Sequence, residues 1–228
     1  MKTPKLLECH MRTSMLGINT AGNVLLSPTD RLTQPMFYEQ LEATRLFVTV
    51  SRHTDEKEHS IEMQLPFIAK VMERYEGSFT IVPVFVGYLN LARQQKYGEI
   101  FAPYLANPEN LFVISSDFCH WGRRFGYTPY NESRGEIYQF IEHLDRMGMD
   151  LIEKLDPAAF DNYLKTYKNT ICGRIPIGIL LSAVNTLRRN NDNEQKPTLR
   201  FLKYAQDRQC TSLNDSSVSF ACGALTMQ

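Results

Sequence analysis

The chain has 228 residues, with 25 basic and 25 acidic side chains, zero formal net charge and 43% hydrophobic residues. This length suits one large domain or two small ones, and the even charge lacks the basic footprint of a nucleic-acid binder. No run of ~18 apolar residues would cross a bilayer. MKTPKLLECHMRTS lacks the apolar core of a secretory leader. The expectation is therefore no nucleic-acid partner, no membrane insertion, and a location in the cytosol or also the nucleus.

Residues 1–35 show little periodicity, and INTAGN and SPTDRLTQP read as turn chemistry. YEQLEATRLF (38–47) predicts a helix with Leu41 and Leu46 inward. IEMQLPFIAKVMERY (61–75) predicts another, with Ile61, Leu65, Ile68, Val71 and Met72 on one face, a Ser60 cap, and Pro66 kinking it or moving its start. FTIVPVFVGYL (79–89) and LFVISSD (111–117) read as strands buried on both sides. LARQQKYGEIFAPYL (91–105) predicts a helix strained at Pro103. Residues 132–155 predict a helix weakened or broken at Gly135 and Gly148. DPAAFDNYLKTY (156–167) opens with an Asp cap and a first-turn Pro, and IPIGILLSAVNTLRR (175–189) is an apolar helix. After the loop NNDNEQKP, LRFLKYAQ and SSVSFACGALTM read as closing strands. Strands alternating with helices indicate an α/β fold, read as a single domain with a central sheet.

Three places could carry chemistry. SSDFCHWG (115–122) follows an apolar strand and would deliver Asp117 and His120 to the carboxyl-end rim, where α/β sheets collect ligands. Imidazole there can ligate a metal or act as acid and base, and the carboxylate can orient it. A plain polar loop before a helix is the alternative. NTICGRIPIG (169–178) sets Cys172 just before a helix, where the dipole and Arg174 would lower its pKa and favour thiolate. A buried structural cysteine is the alternative. In TDEKEHSIE, Asp55, Glu56, Glu58, His59 and Glu62 form an acid-rich patch with one imidazole, which is also ordinary helix-start chemistry. His10, His53 and His143 have no strong partners in sequence. Arg123 and Arg124 follow the first motif and could hold a phosphate or carboxylate, or lie in solvent. The five cysteines, Cys9, Cys119, Cys172, Cys210 and Cys222, show no CxxC spacing and read as free thiols, mostly small core residues.

TDEKEHSIEMQLPF, NLFVISSDFCHWGRRFGY, EHLDRMGM, NTICGRIPIG and DSSVSFACGALT resemble the Memo family (mediator of ErbB-driven cell motility), from about Tyr38 to Gln228. The resemblance implies an α/β domain like the class III extradiol dioxygenases, with a central mixed sheet flanked by helices. It also implies a metal pocket of two histidines from the N-terminal third, a cysteine, an aspartate and a histidine. Asp117, His120 and Cys172 match the last three. Copper or iron binding, redox activity, and an adaptor role linking a phosphorylated receptor tyrosine kinase tail to the cytoskeleton are what the family likeness suggests.

The family's opening His-Ala-Gly-Tyr and Pro-Ser-His-His motifs have no counterpart here. Residues 1–37 are thus read as a divergent or substituted segment of a truncated isoform, and 38–228 as a Memo-like domain lacking N-terminal elements. His10 is not assigned as a ligand. With fewer ligands, copper or iron should bind weakly, and lost strands should expose apolar sheet surface or an unpaired edge. The expected function is a signalling adaptor in cell migration that binds a phosphotyrosine peptide, from a receptor tail or its adaptor, through Arg123 and Arg124. The alternative is a copper- or iron-dependent redox enzyme impaired by the missing histidines.

Overall fold

The computed structural model describes residues 12–18, 24–26, 35–49, 51, 53, 59–190 and 196–227. INTAGN beyond Ile18, SPTDRLTQ, residues 54–58 of the acidic patch, His10, Cys9 and most of NNDNEQKP lie outside them. The chain divides into two compact units, Met1–Gly87 with Asn107–Val113, and Tyr88–Ala106 with Ile114–Gln228. The fold class is α/β, as the alternation of elements predicts.

The first unit is built on a five-stranded mixed sheet of order β3-β2-β4-β1-β5. Its strands are β1 (Arg12–Ile18), β2 (Val24–Leu26), β3 (Phe47–Thr49), β4 (Ile81–Val86) and β5 (Asn110–Ile114). β1 and β4 run parallel from Thr13↔Ile81 to Ile18↔Val86, whereas β2 is antiparallel to β4 and parallel to β3. β4 is the β-branched, apolar strand its sequence announces, buried from Val82 onward. β5 differs from expectation. It ends at Ile114, stands at the sheet edge, and leaves Leu111 43% exposed, because an outermost strand has a neighbour on one side only.

Two helix expectations are also corrected in this unit. α1 runs Pro35–Ala43, so Leu41 is buried within it while Leu46 lies past its end, where Arg45 adopts a left-handed φ of 57°. The helix expected over 61–75 is instead α2 (His59–Glu62), α3 (Leu65–Val71) and a 3-10 turn (Glu73–Tyr75). Pro66 explains the break: with no N–H to donate and φ already set, it serves the first turn of a new helix. Restarting the helix resets its phase. Ile61 and Met72 remain buried, Ile61 packing with Phe85, but Val71 is turned out to 75% exposure.

The second unit contains α4 (Leu91–Ala106), α5 (Ile137–Glu153), α6 (Pro157–Tyr167) and α7 (Arg174–Asn190). It also holds an antiparallel sheet of order β6-β8-β7, from β6 (His120–Gly122), β7 (Thr198–Gln206) and β8 (Ser216–Thr226). α4 and α7 meet at two glycines. A Cβ on Gly98 would stand 2.5 Å from Ser182 Cβ and 2.8 Å from Ala183 N, and one on Gly178 would collide with Gln94. Pro103 lies inside α4 without ending it. α5 begins after Gly135, whose φ is 86°, with Glu136 and Gln139 forming a reciprocal capping box. Gly148 does not break α5. It gives room to the Tyr163 ring, which a Cβ would meet at 3.0 Å. α6 starts as predicted, Asp156 accepting from Ala158 N and Ala159 N at 3.0 Å each. Phe118, Trp121, Ile141, Leu144, Phe160 and Leu181 are among the side chains of the buried core.

Candidate functional site

Two segments of the second unit build the site, and both are held by backbone geometry. Residues 115–119 form a loop that passes into β6, which pairs His120↔Val218 and Trp121↔Ser217 with β8. Phe118 N donates to Ser219 O at 2.8 Å and Ser219 N to Cys119 O at 3.0 Å, extending that pairing back along the loop. Trp121 is fully buried and its indole N–H donates to Pro129 O at 2.8 Å. Residues 169–173 form the second segment and lead into α7. Thr170 Oγ1 joins the two: it accepts from His120 N at 2.7 Å and donates to His120 O at 2.9 Å. Cys172 N donates to Asp117 O at 3.2 Å, and Gly173 N to Ser116 Oγ at 2.9 Å. A Cβ on Gly173 would collide with Ser116, so glycine permits this close approach.

The result is a convergence of sulfur, nitrogen and oxygen. One ligand atom each from Asp117, His120 and Cys172 lies within 4.8 Å of the others. His120 Nε2 stands 3.7 Å from Asp117 Oδ2, too far for a hydrogen bond. Among the described residues this buried nitrogen has no hydrogen-bond partner. A buried imidazole nitrogen that faces a carboxylate and a thiol without a bond of its own fits a metal ligand. Three protein donors that leave positions for water or substrate fit an open metal site, and the sulfur tips the preference toward softer ions such as Cu(I).

Burial sets the electrostatics. It raises the Asp117 carboxyl, opposed by His120, and lowers His120, opposed by Asp117 and reinforced by Arg124. Burial also pushes the Cys172 thiol up, the reverse of the lowering expected from the helix terminus and Arg174. The Asp117 N–H, donating to Cys172 Sγ at 2.9 Å, works against that rise. Arg174 Nη1 donates to Ile171 O at 2.9 Å.

The exposed Arg123 and Arg124 occupy a 3-10 turn directly after β6. The Arg124 guanidinium lies 4.3 Å over the Phe125 ring, which meets the His120 ring edge-on at 5.1 Å. In the acidic patch, His59 and Glu62 pair at 2.8 Å on the surface and form no wider ligand group among the described residues. Cys119 and Cys210 are buried free thiols, whereas Cys222 is exposed. Sequence reasoning does not pick out Thr170, Ser116, Asn169, Asp145 or Ser219. All of them act through contacts between distant segments, and a polar residue has no periodic signature for that.

Fold and site together define an α/β protein with a half-buried thiol–imidazole–carboxylate centre. A family model described as Memo-like protein matches residues 33–224. Protein MEMO1 of Mus musculus and of Homo sapiens are each 57% identical over 190 residues, which cover 83% of this chain and 63% of theirs. Protein MEMO1 of Xenopus tropicalis is 57% identical over 218 residues, 96% of this chain and 72% of that one. The chain belongs to the Memo-like protein family. It spans a little under two thirds of the length of the mouse and human relatives.

Proposed function

We propose that the chain is a Memo-like signalling adaptor that binds a phosphotyrosine peptide beside a metal pocket and relays receptor tyrosine kinase signals to the microtubule cytoskeleton in cell migration. The observation that carries this reading is the placement of Arg124. Its guanidinium stacks on Phe125, Phe125 abuts His120, and among the described residues neither Arg123 nor Arg124 forms an ion pair. Two arginines without carboxylate partners among the described residues, one pre-oriented by an aromatic face, suit a phosphate dianion. The partner is a phosphorylated receptor tail or its adaptor, met in the cytosol. Fluorescence anisotropy with a phosphotyrosine peptide and its unphosphorylated twin tests this. The phosphopeptide should bind more tightly, and Arg123→Ala with Arg124→Ala should weaken it at least ~10-fold, as expected for loss of charged hydrogen bonds. Equal binding of the two peptides removes the adaptor reading.

A second reading, a copper- or iron-dependent oxidoreductase, is supported by His120 Nε2, which has no hydrogen-bond partner among the described residues. Asp117, His120 and Cys172 would hold the ion, which would supply one-electron chemistry when bound. This chain's own groups orient that set: Thr170 fixes the His120 backbone, and the Asp117 N–H holds the sulfur. Elemental analysis with oxygen-consumption measurements separates the readings. Purified protein with no bound metal and no turnover eliminates the second.

A further inference from the structure

We propose that Asp145 is the positioning residue of the metal centre, holding its two ligand-bearing segments in register from within the core. This inference rests on the reading of Asp117, His120 and Cys172 as metal ligands. Asp145 lies on α5, is fully buried, and is not one of the three converging groups. Its Oδ1 accepts from Asn169 Nδ2 at 2.9 Å, and Asn169 opens the segment that carries Cys172. Its Oδ2 accepts from Tyr204 OH at 2.9 Å and, through a short bond, from Ser219 Oγ. The Ser219 backbone is the pair of Phe118 and Cys119, between Asp117 and His120. Ser219 Oγ also reaches Cys119 O at 3.3 Å.

Both halves of the centre thus converge on one carboxylate: Asn169 brings the thiol segment, and Ser219 brings the carboxylate–imidazole segment. Asn169 is clamped further by Tyr163, whose OH accepts from Asn169 Nδ2 at 2.8 Å and donates to Leu144 O at 2.7 Å. Burying a carboxylate is costly, and a neutral apolar residue of similar size would serve packing alone as well or better. What an ion adds is a fixed anchor for donors arriving from three directions. The two segments also bridge each other directly, through Thr170, through Ser116 Oγ with Gly173 N, and through Cys172 N with Asp117 O; Asp145 adds a hold from the core side, reached through Asn169 and Ser219.

The test uses the full chain and Co(II) as the probe metal, because ligation by Cys172 gives a sulfur-to-metal charge-transfer band. Wild type should show a band that Cys172→Ala lacks. Asp145→Asn, nearly isosteric, should bind Co(II) ~10–100-fold more weakly, with the band shifted or reduced, as for loss of an outer-shell partner. Ile152→Ala, in the same helix and buried, should lower the melting temperature yet keep the wild-type affinity and band. Ser219→Ala keeps the backbone pairing and should weaken Co(II) binding several-fold; it carries the test if Asp145→Asn does not fold. Wild-type affinity and band in Asp145→Asn or Ser219→Ala overturn the proposal, as does an equal loss in Ile152→Ala. Absence of any Cys172-dependent band from wild type shows instead that the metal reading has failed, and the positioning role falls with it.

Discussion

At the scale of single residues, the site depends on hydrogen bonds that cross between segments. Thr170 satisfies both backbone groups of His120, so Thr170→Val would leave a partly buried N–H and C=O without their partner. We expect that variant to lose about 1–3 kcal/mol in urea unfolding, while Thr170→Ser loses much less. Asp145 makes a second prediction, through proton linkage. Burial raises its carboxyl to about 6 from the ordinary 3.8, against hydrogen bonds from Ser219, Asn169 and Tyr204 that favour the charged form. Between those values the folded protein holds a proton that the unfolded chain has released. The contribution is therefore full below about pH 4, falls as pH rises to about 6, and is flat beyond, a change of roughly 3 kcal/mol. His120, lowered by burial, acts with the opposite sign in the same region. The stability difference between wild type and Asp145→Asn, measured from pH 4 to 7, isolates the Asp145 part and should show this slope.

At the scale of elements, close approach decides which glycines matter. A Cβ on Gly98 would meet Ser182 Cβ and the Ala183 backbone, which can yield only if α4 and α7 separate. A Cβ on Gly178 would meet the end of a flexible glutamine, although turning Gln94 away breaks its 2.8 Å bond to Leu89 O. Gly98→Ala should thus be the more damaging, at about 1–3 kcal/mol by overpacking, with Gly178→Ala milder in the same denaturation experiment. Element-level reading of the sequence succeeds where local rules suffice. The Asp156–Pro157 start of α6 and the β-branched run of β4 are both where their residues indicate. It fails over 61–75, where the apolar spacing is that of one helix but Pro66 restarts the chain, and at β5, where the apolar run belongs to an edge strand.

At the scale of the molecule, all three candidate ligands belong to one compact unit, Tyr88–Ala106 with Ile114–Gln228. An ion bound there stabilises the folded state by mass action, about 2.7 kcal/mol at a hundred times Kd. For a chain of this size that corresponds to a rise in Tm of roughly 5–10 °C. Adding Cu(I) or Co(II) to wild type should produce the rise, and a chelator should reverse it. Cys172→Ala should show neither change.

The sequence by itself determined the α/β class, most elements of the second unit, and the Asp117–His120 pair, because each is written in residues a few positions apart. Helical and strand periodicity, caps and the Asp-x-x-His spacing are local, and local sterics and hydrogen bonding enforce them. Cys172, 55 residues from Asp117, is joined to that pair by the family resemblance and by no local pattern, and the tertiary structure supplies the geometry that brings the three within reach. It alone placed Asp145 beneath both segments and reversed the expected lowering of the Cys172 thiol. Burial and convergence depend on which distant segments meet, and no short window of residues carries that information.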